Sequence, residues 1–167
     1  YLDVASFSQE NNGMLIQFRW WGGHNQQFSF IRPDKSGIIL PLSGVRYFVE
    51  AVHSGKVLDI QSISQSAGAP LNQYERNGGL NQQFTFIGGQ DGYYQLKVAH
   101  SNMCVAIRES NTEVSSRLEQ QPCVNTPNQL WKIQPAGNDG RVNFVSKLNG
   151  KLIDIAKAGI ENRASAI

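Results

Sequence analysis

This chain carries little charge. Asp, Glu, Lys and Arg make up 17% of its 167 residues, and the net charge is +2. No run of Lys or Arg occurs, so the electrostatic footprint of a nucleic-acid partner is missing. No apolar stretch approaches the roughly 18 residues of a membrane-spanning helix, so insertion into a membrane by this chain is not expected. Helical periodicity of useful length is also lacking, which argues against a helical bundle. His24, His53 and His100 show no ligand spacing, and no glycine-rich phosphate loop stands before a helix. The two cysteines, Cys104 and Cys123, are poorly spaced for a zinc site with those histidines. No catalytic residue, metal site or cofactor is therefore expected, and the chain reads as a non-enzyme. It opens on Tyr1-Leu2-Asp3-Val4, neither a secretory leader nor an initiator methionine, as expected of a mature, trimmed or excerpted chain.

What is present suits a compact, turn-rich domain: 40% hydrophobic residues, 16 glycines and 6 prolines, on a length that fits one ordinary domain with a real core. The chain also repeats itself. Asn25-Gln26-Gln27-Phe28, Asn81-Gln82-Gln83-Phe84 and Asn128-Gln129-Leu130-Trp131 sit at the same place in three longer copies of one pattern. A repeat supplies its own alignment. The second copy is the clearest. Arg46 to His53 alternates, Ser54-Gly55-Lys56 turns, and Val57-Leu58-Asp59-Ile60 follows. After a polar loop come Leu71-Asn72-Gln73-Tyr74, Asn77-Gly78-Gly79, the Asn-Gln tripeptide and Thr85-Phe86-Ile87. These are four short strands separated by turn chemistry.

The third copy repeats the four strands from Tyr93 to Ile133. The first lacks its opening strand, beginning at Leu2-Asp3-Val4 and ending at Phe28-Ser29-Phe30-Ile31. A fourth starts with a strand at 141–147, turns at Asn149-Gly150-Lys151 and continues through Leu152-Ile153-Asp154-Ile155 before the chain stops at Ile167. Units that cannot each bury an apolar face suggest an all-β, closed threefold arrangement without exposed edges. Phe28, Phe84 and Trp131 would share its core, and their Gln neighbours would hold backbone turns. The link from Arg32 to Val45 is longer than its counterparts, as in a decorated loop or a linker between repeat arrays.

Aligned on Asn25, Asn81 and Asn128, Asp3 coincides with Asp59 and Phe18 with Tyr74. In the third copy these positions hold Ala106 and Gln121, so carboxylate and aromatic are lost together while Asn128-Gln129 stays. A carboxylate accepts hydrogen bonds from two vicinal hydroxyls. An aromatic face covers the C–H side of a sugar ring, and an Asn amide both donates to and accepts from a hydroxyl. Taken singly, Asp3 and Asp59 suit a turn or cap and Phe18 and Tyr74 suit packing. As two matching sets beside one paired absence, they point to shallow saccharide sites. His53-Ser54-Gly55 reads as a hairpin turn; His24 either lines the first of these sites or is an exposed loop residue. A Cys104–Cys123 bridge within one copy would stabilise by roughly 3 kcal/mol; two buried thiols of a cytosolic protein are the alternative.

The whole pattern resembles the ricin-type (R-type, QxW-repeat) β-trefoil lectins. Its spacing from Asp to aromatic to Asn is similar to that of the galactose-binding earthworm-type members, including the Gly-Gly before Asn at Gly22-Gly23 and Gly78-Gly79. The resemblance implies a β-trefoil with pseudo-threefold repeats of four strands. It implies galactose- or N-acetylgalactosamine-type glycans as ligands, bound by Asp3, Phe18, Asn25 and by Asp59, Tyr74, Asn81, with Gln26 and Gln82 in support. A further polar contact falls on Asn72 in the second copy but on Ile16 in the first, whose site should be weaker. Cys104 and Cys123 fall where the family often has an intra-repeat disulfide, which implies the bridge and a secreted or extracellular location.

The departures are two repeats ending in Phe rather than Trp, a lost third site, and Asp154 beginning a further site. The expected domain is a trefoil over residues 1–149, with repeats at about 1–32, 45–90 and 91–137 and a closing strand within 141–149. Leu152–Ile155 would compete with Leu2–Val4 for one slot. Residues 150–167 thus either pack elsewhere or belong to a tandem of trefoils; the aromatic and Asn of the Asp154 site are not in this chain, which leaves another chain to complete it. Three functions fit: a multivalent lectin with two sites, the targeting part of a larger toxin or glycosidase, or a protein-interaction or inhibitor trefoil without sugar binding. An oligomer is compatible with each.

Overall fold

The computed structural model describes residues 2–4, 7–9, 14–17, 26–31, 41–88, 90–137 and 140–165. They form short strands joined by turns and single 3-10 turns. In order these are β1 (Leu2–Val4), β2 (Phe7–Gln9), β3 (Met14–Gln17), β4 (Phe28–Ile31), β5 (Arg46–Ala51), β6 (Val57–Ile60), β7 (Leu71–Tyr74) and β8 (Phe84–Gly88). Then come β9 (Tyr93–Val98), β10 (Cys104–Ile107), β11 (Leu118–Gln121), β12 (Trp131–Pro135), β13 (Val142–Ser146), β14 (Ile155–Ala156) and β15 (Ala158–Ile160).

Six of these strands close a barrel. β4 pairs with β5, β5 with β8, β8 with β9, β9 with β12, β12 with β13, and β13 returns to β4 through Val142 opposite Phe28. All six pairings are antiparallel, so neither edge of this ring is left open to another chain. Of the remaining strands, β6 pairs with β7, β10 with β11 and β14 with β3, all antiparallel. β6 and β10 are buried along their whole length, as expected of short continuous apolar runs bounded by turns. The fold is an all-β trefoil with pseudo-threefold repeats.

Phe28, Phe84 and Trp131, the aromatics of the three tripeptides, are fully buried. Beneath them Phe30 meets Tyr47, Phe86 and Phe144 edge to face, with ring centroids 5.8, 5.1 and 5.8 Å apart. Such pairs contribute about 0.5–1.5 kcal/mol each beyond the area they bury. The glutamines hold turns, each like a clamp. Gln82 Nε2 donates to Glu75 O (2.8 Å) while its Oε1 accepts from Asn77 N (3.0 Å). Gln129 does the same with Pro122 O (2.9 Å) and Val124 N (2.8 Å).

One hairpin geometry occurs three times. Ala51 N donates to Lys56 O, Val98 N to Met103 O and Ser146 N to Lys151 O, at 2.8, 2.8 and 2.7 Å. Each hairpin leans on the end of the preceding copy, through Val52 N to Gln27 O, Ala99 N to Gln83 O and Lys147 N to Leu130 O. His53-Ser54-Gly55 lies in the first of these turns, with Gly55 at φ +68°, a conformation glycine adopts at no steric cost. The chain beyond Gly150 is therefore part of the trefoil body. Leu152, Ile153 and Ile155 are buried in the shared core. β1 pairs with β3 on the side away from β14, and β2 pairs with β15. Most of the long Arg32–Val45 link lies outside the described residues.

Cys104 in β10 and Cys123 after β11 are joined by a disulfide, with Cα atoms 5.0 Å apart across a separation of 19 residues. A loop of that length corresponds to about 3 kcal/mol of stabilisation. The double variant Cys104→Ala/Cys123→Ala is expected to melt roughly 6–12 °C below the parent. A scanning calorimetry difference below about 2 °C would show that the bridge does not hold the third copy together.

Candidate functional site

Asp59 stands in the middle of β6, opposite Asn72 of β7. The pleat places these two on one face of the hairpin. Asp59 is 5% exposed, and two amides meet its carboxylate. Asn81 Nδ2 donates to Oδ2 at 2.9 Å and Gln82 Nε2 donates to the same oxygen at 3.0 Å. Asn81 Nδ2 also reaches Ile60 O at 3.1 Å. Both amides come from the 3-10 turn Leu80–Gln82, so the Asn-Gln pair points two donors at one acceptor.

A Cβ on Gly79 would collide with Asn81 Oδ1, so a larger residue here would push the Asn81 amide aside.

Asp59 and Asn81 open into a cavity of about 170 Å³ shared with Gln61, Ser62, Ile63, Tyr74, Asn77 and Arg163. That is well below the ~300–1,000 Å³ of clefts for drug-sized ligands, and it suits a single ring. Tyr74 supplies an aromatic side chain, half-buried, at the end of β7. A carboxylate floor, an amide and an aromatic side chain can accept from paired hydroxyls, answer a third and cover an apolar ring face.

The structure brings Asp59, Tyr74 and Asn81 to this cavity and sets Gln82 behind Asp59. Asn72 is 1% exposed and does not line the cavity; Ser165 bridges to it, and its Oδ1 has no hydrogen-bond partner among the described residues. Of the first-copy residues, Asp3 lies in β1 opposite Ile16, and Gln26 is fully buried. Phe18, His24 and Asn25 lie outside the described residues. Arg163 escaped the sequence reading because it belongs to the fourth copy, where the second-copy alignment has Gly68 and offers no hint of a charged role.

The third copy shows what the paired loss leaves. Asn128 Nδ2 still donates to Ile107 O at 3.3 Å, matching Asn81 on Ile60, but Ala106 replaces the carboxylate. Asn and Gln therefore hold backbone in the second and third copies, with or without the carboxylate.

A family profile described as "Ricin-type beta-trefoil lectin domain-like" matches residues 1–74, 24–91 and 80–167. The chain belongs to that family. Among solved structures it is similar to ThreeFoil, a designed threefold-symmetric protein, at 33% identity and a TM-score of 0.71 over 73% of this chain and 86% of that one. It is similar to the exo-β-1,3-galactanase 1,3Gal43A of Clostridium thermocellum at 30% identity and a TM-score of 0.68, over 78% of this chain and 26% of that one. Flavastacin of Elizabethkingia meningoseptica is 25% identical over 140 residues, covering 83% of this chain and 30% of flavastacin. The chain thus spans under a third of flavastacin and of the galactanase.

Burial carries a cost at Asp59. Desolvation pushes its carboxyl up from 3.8 to about 6, against the opposing hydrogen bonds from Gln82 and Asn81. Between those two values the folded chain holds a proton that the unfolded chain has released. Stability from this group is therefore full below about pH 3.8 and is lost as pH rises through 6, by an amount on the order of 3 kcal/mol. Asp59→Asn removes the charge and keeps an acceptor, so it is expected to melt above the parent at pH 7.5, with the gap closing by pH 4. Equal melting temperatures at both pH values would mean that Asp59 is not strained by burial.

Proposed function

We propose that this domain binds carbohydrate, through galactose- or N-acetylgalactosamine-type sugars, at two shallow sites. The observation that carries the reading is Asp59, a buried carboxylate kept at a stability cost beside Asn81 and Tyr74 at the edge of a ring-sized cavity. Gln82 holds it from behind. In the third copy the fold manages without this constellation. The first-copy site draws on Asp3, Phe18, Asn25 and Gln26, aligned by sequence with Asp59, Tyr74, Asn81 and Gln82. Asn72 supports the second site from within the β6–β7 hairpin.

Each site alone is weak, because a small open cavity buries little of its ligand. Two sites spread around a threefold body gain by avidity on a glycan-coated surface. The domain acts without catalysis, in a secreted setting that suits the Cys104–Cys123 disulfide. A role as the targeting part of a larger glycosidase or toxin is the second reading. It is favoured by the small fraction of flavastacin and of 1,3Gal43A that the chain matches, and by the galactose polymer named in the latter's activity. An intact mass of the native protein separates a free lectin from such a module.

Titration with lactose, followed by calorimetry, tests the site directly. Asp59→Ala is expected to remove one binding event per chain, and unchanged stoichiometry would sink the assignment. At pH 5, one unit below the raised carboxyl, only about a tenth of Asp59 is ionised, so affinity at this site should fall about tenfold from its value at pH 7.5. A glycan array that captures no ligand at high loading would instead favour a protein-contact role.

A further inference from the structure

The pairing of three barrel strands sets Arg46, Thr85 and Lys97 in one row. Arg46 of β5 stands opposite Thr85 of β8, and Thr85 stands opposite Lys97 of β9. Directly opposite residues share a face of the sheet. Phe84 and Phe86, on either side of Thr85 in β8, are buried in the core, so the pleat turns the row outward. Neighbouring strands are roughly 4.8 Å apart, so the two cationic residues start about 10 Å apart with a hydroxyl between them. Both side chains are long enough to converge on one group held above Thr85.

The row lines a cavity of about 300 Å³, together with Ser43, Ile87 and Asn102. No described carboxylate lines it. Arg46 is exposed, and Thr85 and Lys97 are half-buried. Among the described residues, none of these three side chains has a hydrogen-bond, ion-pair or cation–π partner. Other cations of the chain are engaged: Arg108 pairs with Glu109 and Glu119, Arg76 lies over Phe48 and Lys147 over Tyr93. Two like charges on the wall of one concavity focus a field that draws in an anion.

The other copies show that the barrel does not need this row. Trp131 stands opposite Tyr94 as Phe84 stands opposite Tyr47. Lys132 is therefore the counterpart of Thr85, and it stands between Tyr93 and Val145. In the first copy Ser29 takes that place, opposite Glu50. The position of Lys97 thus holds Val145 in one counterpart row and Glu50 in the other, and the position of Arg46 holds Tyr93 in the third copy. A hydroxyl flanked by Arg and Lys is a property of the second copy's wall and of neither counterpart.

We propose that the Arg46–Thr85–Lys97 row is an oxyanion site that takes a sulfate or phosphate group, free or carried as an ester. Arg46 offers two parallel N–H donors, Lys97 a compact positive charge, and Thr85 a hydroxyl donor. A tetrahedral group presents at least three oxygens, enough for all three residues, where a carboxylate presents two. The site lies on the barrel wall formed by β5, β8 and β9, whereas the Asp59 cavity belongs to the β6–β7 hairpin and the turn at Leu80–Gln82. It therefore stands or falls independently of the saccharide reading.

Titration of the full chain with sodium sulfate, sodium phosphate and galactose 6-sulfate, at constant ionic strength and followed by backbone amide NMR shifts, tests it. Saturable shifts at Thr85, Lys97 and Asn102 are expected with at least one of these probes. Saturation by an inorganic ion shows that the free oxyanion suffices; saturation by galactose 6-sulfate alone shows that the group is read as a sugar ester. Either result supports the site. Arg46→Gln/Lys97→Gln should weaken binding by about tenfold or more, because both charged donors are lost. Lys97→Glu should abolish it, and the fold already accommodates Glu50 at the same place in the first copy. Arg46→Lys/Lys97→Arg, which keeps both charges, should stay within about threefold. Absence of saturable shifts at these residues with all three probes overturns the proposal, and so does unchanged affinity in Lys97→Glu.

Discussion

Closure of the six-stranded barrel is the constraint on which everything else rests. None of the four-stranded units buries its apolar face alone, and the ring is complete only when Val142 pairs with Phe28. That contact joins residues more than a hundred positions apart, so its loop-closure entropy must be met by the core it completes. The three tripeptide aromatics and the Phe30–Tyr47–Phe86–Phe144 cluster are what the closed ring gathers. A β-fold dominated by such non-local pairings is expected to fold slowly relative to helical domains of equal size.

Closure also explains why the polar clamps recur. Once the hairpins are fixed around the axis, each turn between third and fourth strand has to satisfy buried backbone groups, and a single Gln side chain does this by donating and accepting across the turn. Gln82 and Gln129 do so with the same partners in register. Gln82 also donates to Asp59, while Gln129 Oε1 also accepts from Gln95 Nε2. Gln129 makes the same clamp where Ala106 stands in place of the carboxylate, so the clamp does not depend on that group.

Much of this was legible in the sequence, for a definite reason. Short strands, turn glycines and the core aromatics Phe28, Phe84 and Trp131 are local signals, and three copies in register make them mutually confirming. The trio Asp59, Tyr74 and Asn81 was legible because its spacing differs between copies that share everything else. The burial of Asn72 was not, because the segment that covers it, ending at Ser165, is distant in sequence. Arg163 was hidden for the same reason. The occupant of the last slot was illegible in principle: Leu2–Val4 and Leu152–Ile155 carry the same local pattern. Only the continuity of β13 into its hairpin, through Ser146 and Lys151, distinguishes them.

That continuity has an energetic logic. A second strand delivered by a tight turn from its own first strand costs little further chain entropy, because the turn has already placed it beside the slot. Leu152, Ile153 and Ile155 are accordingly in the core, while Leu2–Val4 pairs with β3 on the side away from β14. The slot is thus filled by the segment that the Ser146–Lys151 hairpin delivers to it.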